Sequence, residues 1–434
     1  MHLLDELRWR GLLHQATGGD ELRSHLQTPG RVGYCGFDPT KDSLTIGNFM
    51  PMKLLRHFQL AGHRPVVLMG GGTGLIGDPS GKDAERPLMD RDQVAANIDG
   101  QLQSFAKVLD FEGDNAAIVV NNADWLEPLS FVDVLRDVGK HFSVNTMIQK
   151  DSVKDRLHNR EQGISYTEFS YMILQAYDFL HLRRTMGCTI QIAGSDQYGN
   201  IVAGIDLIRR DMTDTTDDQF RAAGVTSPLV TASDGSKIGK TEDGAIYLTA
   251  DRTSPWAFHQ YWLNVPDEDV GEFLRWFTFL DHSTIEEIES SHSQSPQHRQ
   301  GQHTLADEMT RLFHGQDNVD RCNEAAAALF GGDIQSLDAS MLDEVFAEVP
   351  ASEHNKIGLG GEEASLVEIL PRTTLAGSKR EAREFLSTGS IAVNGQRVEG
   401  DDAVKRVLTS DDLLHGSTIL IRRGKKAWHA TRWA

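Results

Sequence analysis

Apolar positions in this chain recur with one period near its front and another further on. Val66-Val67-Leu68-Met69 and Ala117-Ile118-Val119-Val120 are short apolar runs that end in turn residues, and Thr189-Ile190-Gln191-Ile192-Ala193 is a third. Helical patterns lie between them. Short buried strands alternating with helices predict an α/β domain built on a parallel sheet. Ser165-Tyr166-Thr167-Glu168 has capping-box spacing, in which two side chains satisfy free backbone donors at a helix start. It predicts a helix running to about Met186. From Trp256 to about Leu329 the pattern is helical and poor in strands. Residues 331–365 contain Gly358-Leu359-Gly360-Gly361-Glu362-Glu363 and predict a linker. Beyond it, Ser378 opens a basic helix ending near Leu386. Ile391-Ala392-Val393 and Gln396-Arg397-Val398 flank Asn394-Gly395, the pair favoured in a type I′ hairpin. Thr418 to Ile421 and Ala427 to Ala430, around Gly424, predict another hairpin. No internal repeat is visible.

Composition narrows the class. A chain of 434 residues has room for two or three domains, and 39% hydrophobic residues can fill real cores. No stretch approaches the roughly 18 apolar residues of a membrane span. The first residues, Met-His-Leu-Leu-Asp-Glu-Leu-Arg-Trp-Arg-Gly, are amphipathic and partly acidic, unlike a secretory or transit peptide. A first helix of a cytoplasmic protein is expected. Cys35, Cys188 and Cys322 are odd in number and far apart, so neither a disulfide framework nor a zinc spacing follows. The 17 His form no ligand pattern. His292, His298 and His303 lie in a Ser/Gln-rich stretch, expected to be solvated surface. Net charge is −20, which disfavours broad nucleic-acid binding. Its distribution changes the picture. Residues 371–434 hold 12 Lys and Arg against 7 Asp and Glu. A basic tail on an acidic body predicts a local polyanion site.

Candidate chemistry concentrates in a few places. Tyr171, Gln175 and Asp178 are spaced i, i+4, i+7 and share one face of the predicted helix. Their neighbours are apolar, and a carboxylate buried there needs a partner. Asp178 meets Arg183 or Arg184, lies on a narrow solvent stripe, or serves a ligand; spacing alone does not separate these. Gly194-Ser195-Asp196-Gln197-Tyr198-Gly199-Asn200 follows a strand, where ligands bind in parallel sheets. Asp196 there is also an ordinary helix N-cap candidate. Cys35 reads equally as a small buried apolar residue. Two motifs are decoys. Gly72-Thr73-Gly74-Leu75-Ile76-Gly77 matches a dinucleotide fingerprint, but Asp78-Pro79-Ser80-Gly81 turns the chain where a helix should open. Gly239-Lys240-Thr241 ends like a P-loop, but Asp234 stands where its first glycine belongs.

Two segments say most. Residues 34–48 read Tyr-Cys-Gly-Phe-Asp-Pro-Thr-Lys-Asp-Ser-Leu-Thr-Ile-Gly-Asn, a strand end, a Pro turn and a step into a helix. Residues 233–241 read Ser-Asp-Gly-Ser-Lys-Ile-Gly-Lys-Thr, a loop carrying two lysines. A helix N-terminus facing a lysine loop can hold a triphosphate from two sides. The pair resembles the HIGH and KMSKS signatures of class I aminoacyl-tRNA synthetases. The surrounding residues resemble the bacterial tyrosyl-tRNA synthetase family along nearly the whole chain.

That resemblance implies a fold and a set of roles. The fold would be a Rossmann-like parallel-sheet α/β catalytic domain over 1–225 and an α-helical domain with the lysine loop over 226–330. A linker over 331–365 would lead to a small α+β RNA-binding tail over 366–434. Tyr34 and Asp178 would bind the substrate phenol, with Gln197 along the amino acid. Tyr171, Gln175 and Asp78 would hold its ammonium, since a cation wants a carboxylate and acceptors. Cys35, Gly36, Asp38, Gly47, Gln191, Gly194, Asp196 and Lys240 would lie along the nucleotide. Thr40, Thr45, Asn48, Lys82, Arg86, Lys237, Lys240 and Thr241 would meet the phosphates. Lys379, Arg380 and Arg383 would contact RNA. The implied partners are L-tyrosine, ATP with Mg²⁺ and tRNA(Tyr), in a homodimer with no tightly bound cofactor, no protein metal site and no membrane contact. Amphipathic residues 131–149 would serve either as that dimer's interface or as a core helix. The chain departs from the family pattern where HIGH becomes Thr45-Ile46-Gly47-Asn48, and where Tyr198 replaces a Trp. A non-catalytic RNA-binding paralogue, or a tyrosine-activating enzyme serving another pathway, is the alternative.

Overall fold

The structure is a computed structural model. It describes residues 2–78, 89–150, 153–154, 163–211, 220–231, 238–241, 244–331, 333–347, 349–400, 402–424 and 426–434, excepting the side chains of 240, 241, 330 and 331. The chain forms two compact units. One comprises residues 1–253 and 261–313, the other 254–260 and 314–434.

The first unit is built on a six-stranded sheet. Its strands are β1 (Gln15–Ala16), β2 (Val32–Phe37), β3 (Arg64–Met69), β4 (Ile118–Asn121), β5 (Ile190–Gly194) and β6 (Ala223–Ser227). Their order is β1-β6-β5-β2-β3-β4. All pairs are parallel except β1 with β6. The three apolar runs read from the sequence are β3, β4 and β5. The order reverses between β2 and β5, and the crevice at their carboxyl ends is where this sheet type binds ligands. The helix Tyr166–Met186 forms as its capping spacing predicts, with the Ser165 side chain accepting from Glu168 N–H. It carries Phe179 and Ala176 into a core with Tyr34, Val66, Leu68 and Leu207. Further on, β7 (Lys240–Thr241) and β8 (Gly244–Ala245) form a short antiparallel ladder.

The helix Ile46–Leu60 packs beneath the sheet and holds a fully buried Lys53, whose pKa burial pushes well below its ordinary value. Its Nζ donates to the carbonyls of Arg275, in the last turn of the helix Val270–Phe277, and of Thr278, its C-cap. Arg10 donates to Thr278 and Leu280 carbonyls there as well. The last carbonyls of a helix lack intrahelical partners and carry the negative end of its dipole, which suits the donors of both side chains. Nothing in the run Met52-Lys53-Leu54 marks the lysine as buried. His292 also departs from expectation. It is only 7% exposed, on the helix His282–Gln294, whereas His298 and His303 are exposed.

The second unit contains β9 (Ala351–His354), β10 (Ile391–Val393), β11 (Gln396–Arg397), β12 (Thr418–Arg423) and β13 (Ala427–Trp433), in the order β11-β10-β12-β13-β9. Both predicted hairpins are present. Asn394 and Gly395 take φ 47° and 83°, as a type I′ turn demands. The helix Lys379–Ser387 covers the sheet through Ala382 and Leu386. Residues 331–365, expected as a linker, are instead partly ordered into this unit. They contain the helix Ala339–Val345 and β9, which pairs in parallel with β13. Met341 and Leu342 share a core with Leu420 and Ala430. Ala351-Ser352-Glu353-His354 has no apolar run. It joins the sheet edge through backbone bonds, which composition does not advertise.

Candidate active site

The floor of the crevice is a buried phenol beside a buried carboxylate. Tyr34, on β2, is 1% exposed, and its hydroxyl has no hydrogen-bond partner among the described residues. Asp178, on the 166–186 helix, is 3% exposed. Trp125 Nε1 donates to its Oδ1 at 2.8 Å and Asn122 Nδ2 to its Oδ2 at 3.0 Å. Burial pushes the Asp178 pKa up to about 7, against the pull of these two bonds, and the Asp38 charge raises it further. Burial, then the Asp178 charge, raises the Tyr34 phenol. Arg184 is spent on Asp211, and of the readings left open for Asp178 the described residues show neutral donors on both of its oxygens. A free hydroxyl and a carboxylate together offer one donor and one acceptor to an incoming hydroxyl.

A second group of residues lies along the same crevice. Tyr171 donates to Asp38 Oδ2 at 2.9 Å, and Thr73 Oγ1 donates to Asp38 Oδ1 at 2.8 Å. Asn122 Nδ2 reaches Thr73 Oγ1 at 3.0 Å. One chain of bonds therefore joins Tyr171, Asp38, Thr73, Asn122 and Asp178. Asp38, expected along the nucleotide, is held here against a residue of the amino-acid group. The glycines after β3 make room for this chain. A Cβ on Gly70 would lie 2.3 Å from Asp38 Oδ1, and one on Gly71 would lie 2.1 Å from Asn121 Oδ1. Gly71 and Gly72 N–H donate to Asn121 and Asn122. Within the dinucleotide-like motif itself, a Cβ on Gly72 would lie 3.2 Å from Leu126 and one on Gly74 3.0 Å from Pro39, so its glycines too serve close packing.

Gln175, Gln197 and Asp78 are also brought together. Asn200 Nδ2 donates to Gln175 Oε1 at 2.9 Å and to Gln197 Oε1 at 3.1 Å, and Gln197 Nε2 donates to Asp78 Oδ2 at 2.7 Å. Both amides are thereby oriented. Gln191 on β5 is buried, with its Oε1 unbonded. Gly194 ends β5 and Asp196 follows it, exposed, bonded to Gln197 Nε2 at 3.2 Å. Cys35 is buried and its thiol is pushed up by burial, while Gly36 beside it is exposed.

The signature segment opens the 46–60 helix. Thr45 is the N-cap, and its N–H and hydroxyl both donate to Asn48 Oδ1, at 3.0 and 2.8 Å. The two departures from HIGH are therefore bonded to each other. Gly47, Asn48 and Thr40 are exposed. Thr45 forms an antiparallel bridge with Tyr247, so the chain returning from β8 lies along the signature. On β7, Lys240 pairs with Ala245 and Thr241 with Gly244 through the backbone. Lys82, Arg86 and Lys237 lie outside the described residues. Lys379, Arg380 and Arg383 belong to the second unit, where Lys379 pairs with Glu368 at 2.6 Å and both arginines are exposed. Sequence reasoning missed Asn122, Trp125, Thr73 and Asn200. Asn121-Asn122 did carry a signal: a polar pair at the carboxyl end of a parallel strand.

Comparison with known proteins identifies the fold and the family. Residues 29–331 match the family model described as tRNA synthetases class I (W and Y). Residues 342–431 match that of the tyrosine--tRNA ligase SYY-like C-terminal domain. The tyrosine--tRNA ligase of Geobacillus kaustophilus (strain HTA426) is 48% identical over 435 residues, covering 100% of both chains. That of Roseiflexus castenholzii is 48% identical over 432 residues and 99% of both. A C-terminally truncated mitochondrial tyrosyl-tRNA synthetase of Coccidioides posadasii superposes with a TM-score of 0.65 at 32% identity, over 75% of this chain and 91% of its own. A parallel sheet with its crevice at the reversal of strand order, faced by the signature helix, is the frame of a class I aminoacyl-tRNA synthetase. Within that class the chain belongs to the tyrosine--tRNA ligases.

Proposed function

We propose that the protein joins the carboxylate of L-tyrosine to the α-phosphorus of ATP, releases pyrophosphate, and passes the tyrosyl group from the adenylate to tRNA(Tyr). The buried Tyr34 and Asp178 pair carries this reading. The substrate phenol donates to Asp178 and accepts from Tyr34, filling the one free hydroxyl on the crevice floor. Tyr171, Gln175 and Asp78 receive the ammonium, and Gln197 lies along the bound amino acid. Asp196 takes the ribose hydroxyls; Cys35, Gly36, Asp38, Gly47, Gln191 and Gly194 border the nucleotide. The tyrosine carboxylate is already a nucleophile, so the protein's task is alignment and stabilisation of charge on the phosphates. Thr40, Thr45, Asn48, Lys82, Arg86, Lys237, Lys240 and Thr241 supply donors and positive charge for that. Mg²⁺ arrives with the ATP phosphates. Tyrosine-dependent exchange of pyrophosphate into ATP tests the reading; its absence would leave a non-catalytic paralogue.

Assembly and location belong to the same proposal. Phe131, Val132, Leu135, Val144 and Ile148 are exposed apolar side chains on short helical turns, not on one long helix. They suit the interface of a homodimer. The domain division proposed is a catalytic body, a helical region and a tRNA-binding tail, in a cytoplasmic protein.

Thr45 leads to one expected result. A short hydroxyl bonded to Asn48 leaves less reach toward the phosphates than an imidazole. Thr45→His should raise the rate of tyrosine activation or tighten ATP about tenfold, since a hydrogen bond to a charged group contributes about 1.5–3 kcal/mol. It should also lower the melting temperature, because losing an N-cap costs about 0.5–2 kcal/mol. Rapid-quench kinetics and thermal melts check both; a large loss of rate would show that the helix start has adapted to Thr45.

Asp178 leads to another. Its folded pKa, about 7, lies above the ordinary 3.8. Its contribution to stability is then fully present below the unfolded value and is lost as pH rises through about 7. The melting temperature of the parent, relative to Asp178→Asn, should therefore fall between about pH 4 and about pH 7 and level off above it. A constant difference across that range would contradict the raised pKa.

A further inference from the structure

Gly239 stands one residue before Lys240 at φ 76°, a left-handed conformation that strains any side chain. A Cβ there would also lie 3.1 Å from Ile46 Cβ. Its carbonyl accepts from Ile246 N–H at 2.8 Å, and the Ile246 carbonyl accepts from Ile46 N–H at 3.1 Å. The start of the lysine ladder is thus tied to the first residue of the signature helix. The Gly239 N–H, turned out of the ladder, needs a partner from elsewhere. It donates at 2.8 Å to the phenol oxygen of Tyr261, on the helix Pro255–Leu263.

We propose that Tyr261 is a positioning residue for adenylate formation: its phenol oxygen fixes the Gly239 peptide and so the register of Lys240 on β7 against Thr45 and Ile46. The proposal rests on the role given to Lys240 above. Tyr261 meets neither substrate nor phosphate in this scheme. It removes a rotation of one peptide that would otherwise let the β7 backbone shift. An interaction that acts on charge developing in the transition state changes kcat and leaves ground-state binding alone. Loosening its support should do the same, more weakly.

The test uses the full chain as parent, Tyr261→Phe, Lys240→Ala and the double variant. Single-turnover formation of tyrosyl-adenylate is measured, with active sites counted by burst amplitude. Tyr261→Phe keeps the ring and removes only the oxygen. Its rate constant should fall about three- to tenfold, the scale of one neutral hydrogen bond, with the dissociation constants for tyrosine and ATP unchanged. Lys240→Ala should fall further, and the double variant should match Lys240→Ala, because the two act as one unit. An unchanged rate in Tyr261→Phe, weaker substrate binding in place of a slower step, or full additivity in the double variant would overturn the proposal. A parental rate in Lys240→Ala would overturn the Lys240 assignment as well. A slow Lys240→Ala beside a parental Tyr261→Phe would overturn this inference alone.

Discussion

L-Phenylalanine is expected to support pyrophosphate exchange at least about a hundredfold more weakly than L-tyrosine, because it would leave the buried Tyr34 hydroxyl unpaired and withhold a bond from the buried Asp178 carboxylate, at about 1–3 kcal/mol each. Rejection of phenylalanine on this principle is a familiar property of tyrosine synthetases, not something new to this chain. What the structure adds is the source of the rigidity. Trp125 and Asn122 grip both oxygens of Asp178, so the carboxylate has no freedom to turn toward another partner. Tyr34, packed tilted against Phe179 at 5.3 Å between ring centroids, holds its hydroxyl in place by ring packing. Steady-state kcat/KM with both amino acids checks this, on the parent and on Tyr34→Phe. The variant should lose part of the preference. Equal rates with both amino acids, or none with either, would remove the pocket assignment.

Removal of the C-terminal tail should leave tyrosyl-adenylate formation nearly intact and lower tRNA charging about a hundredfold or more, as several phosphate contacts are lost together. No residue proposed to touch the adenylation substrates lies beyond residue 241, and the positioning residue Tyr261 also precedes the tail. The basic surplus lies in the second unit, where Arg380 and Arg383 are exposed on the helix Lys379–Ser387. The place of the cut matters. Ending the chain at 365 would leave β9 without β13 and strand half of a core. A cut after residue 331, where the match to the catalytic family ends, avoids the stranded strand. It still uncovers Ala325 and Ala328, which pack against Leu420 and Ala430 in that core. Arg380→Ala with Arg383→Ala avoids the difficulty. That variant should bind tRNA more weakly and with a flatter salt dependence, by about one unit of slope per lost contact. Adenylate formation and charging are measured on the same preparations. Loss of both together would make the tail structural; loss of neither would mean it is not the tRNA-binding module.

Local rules in the sequence decided much of this protein. The 166–186 helix follows from Ser165 and Glu168, the 391–397 hairpin from Asn394-Gly395, and the core strands of the first sheet from apolar runs. Each depends on neighbours a few residues apart, whose energies composition and spacing already contain. The same is true of the face shared by Tyr171, Gln175 and Asp178. Tertiary structure decided what those groups touch. Asp178 meets Asn122 and Trp125 across more than fifty residues, a choice that spacing along its own helix left open. Lys53 lies buried because carbonyls at a helix end some two hundred residues later accept its donors. β9 is a strand because the edge of β13 is open to it, though its own residues have no strand pattern. Burial and partner choice are properties of the packed chain, since the cost of an unpaired polar group appears only once water has been excluded.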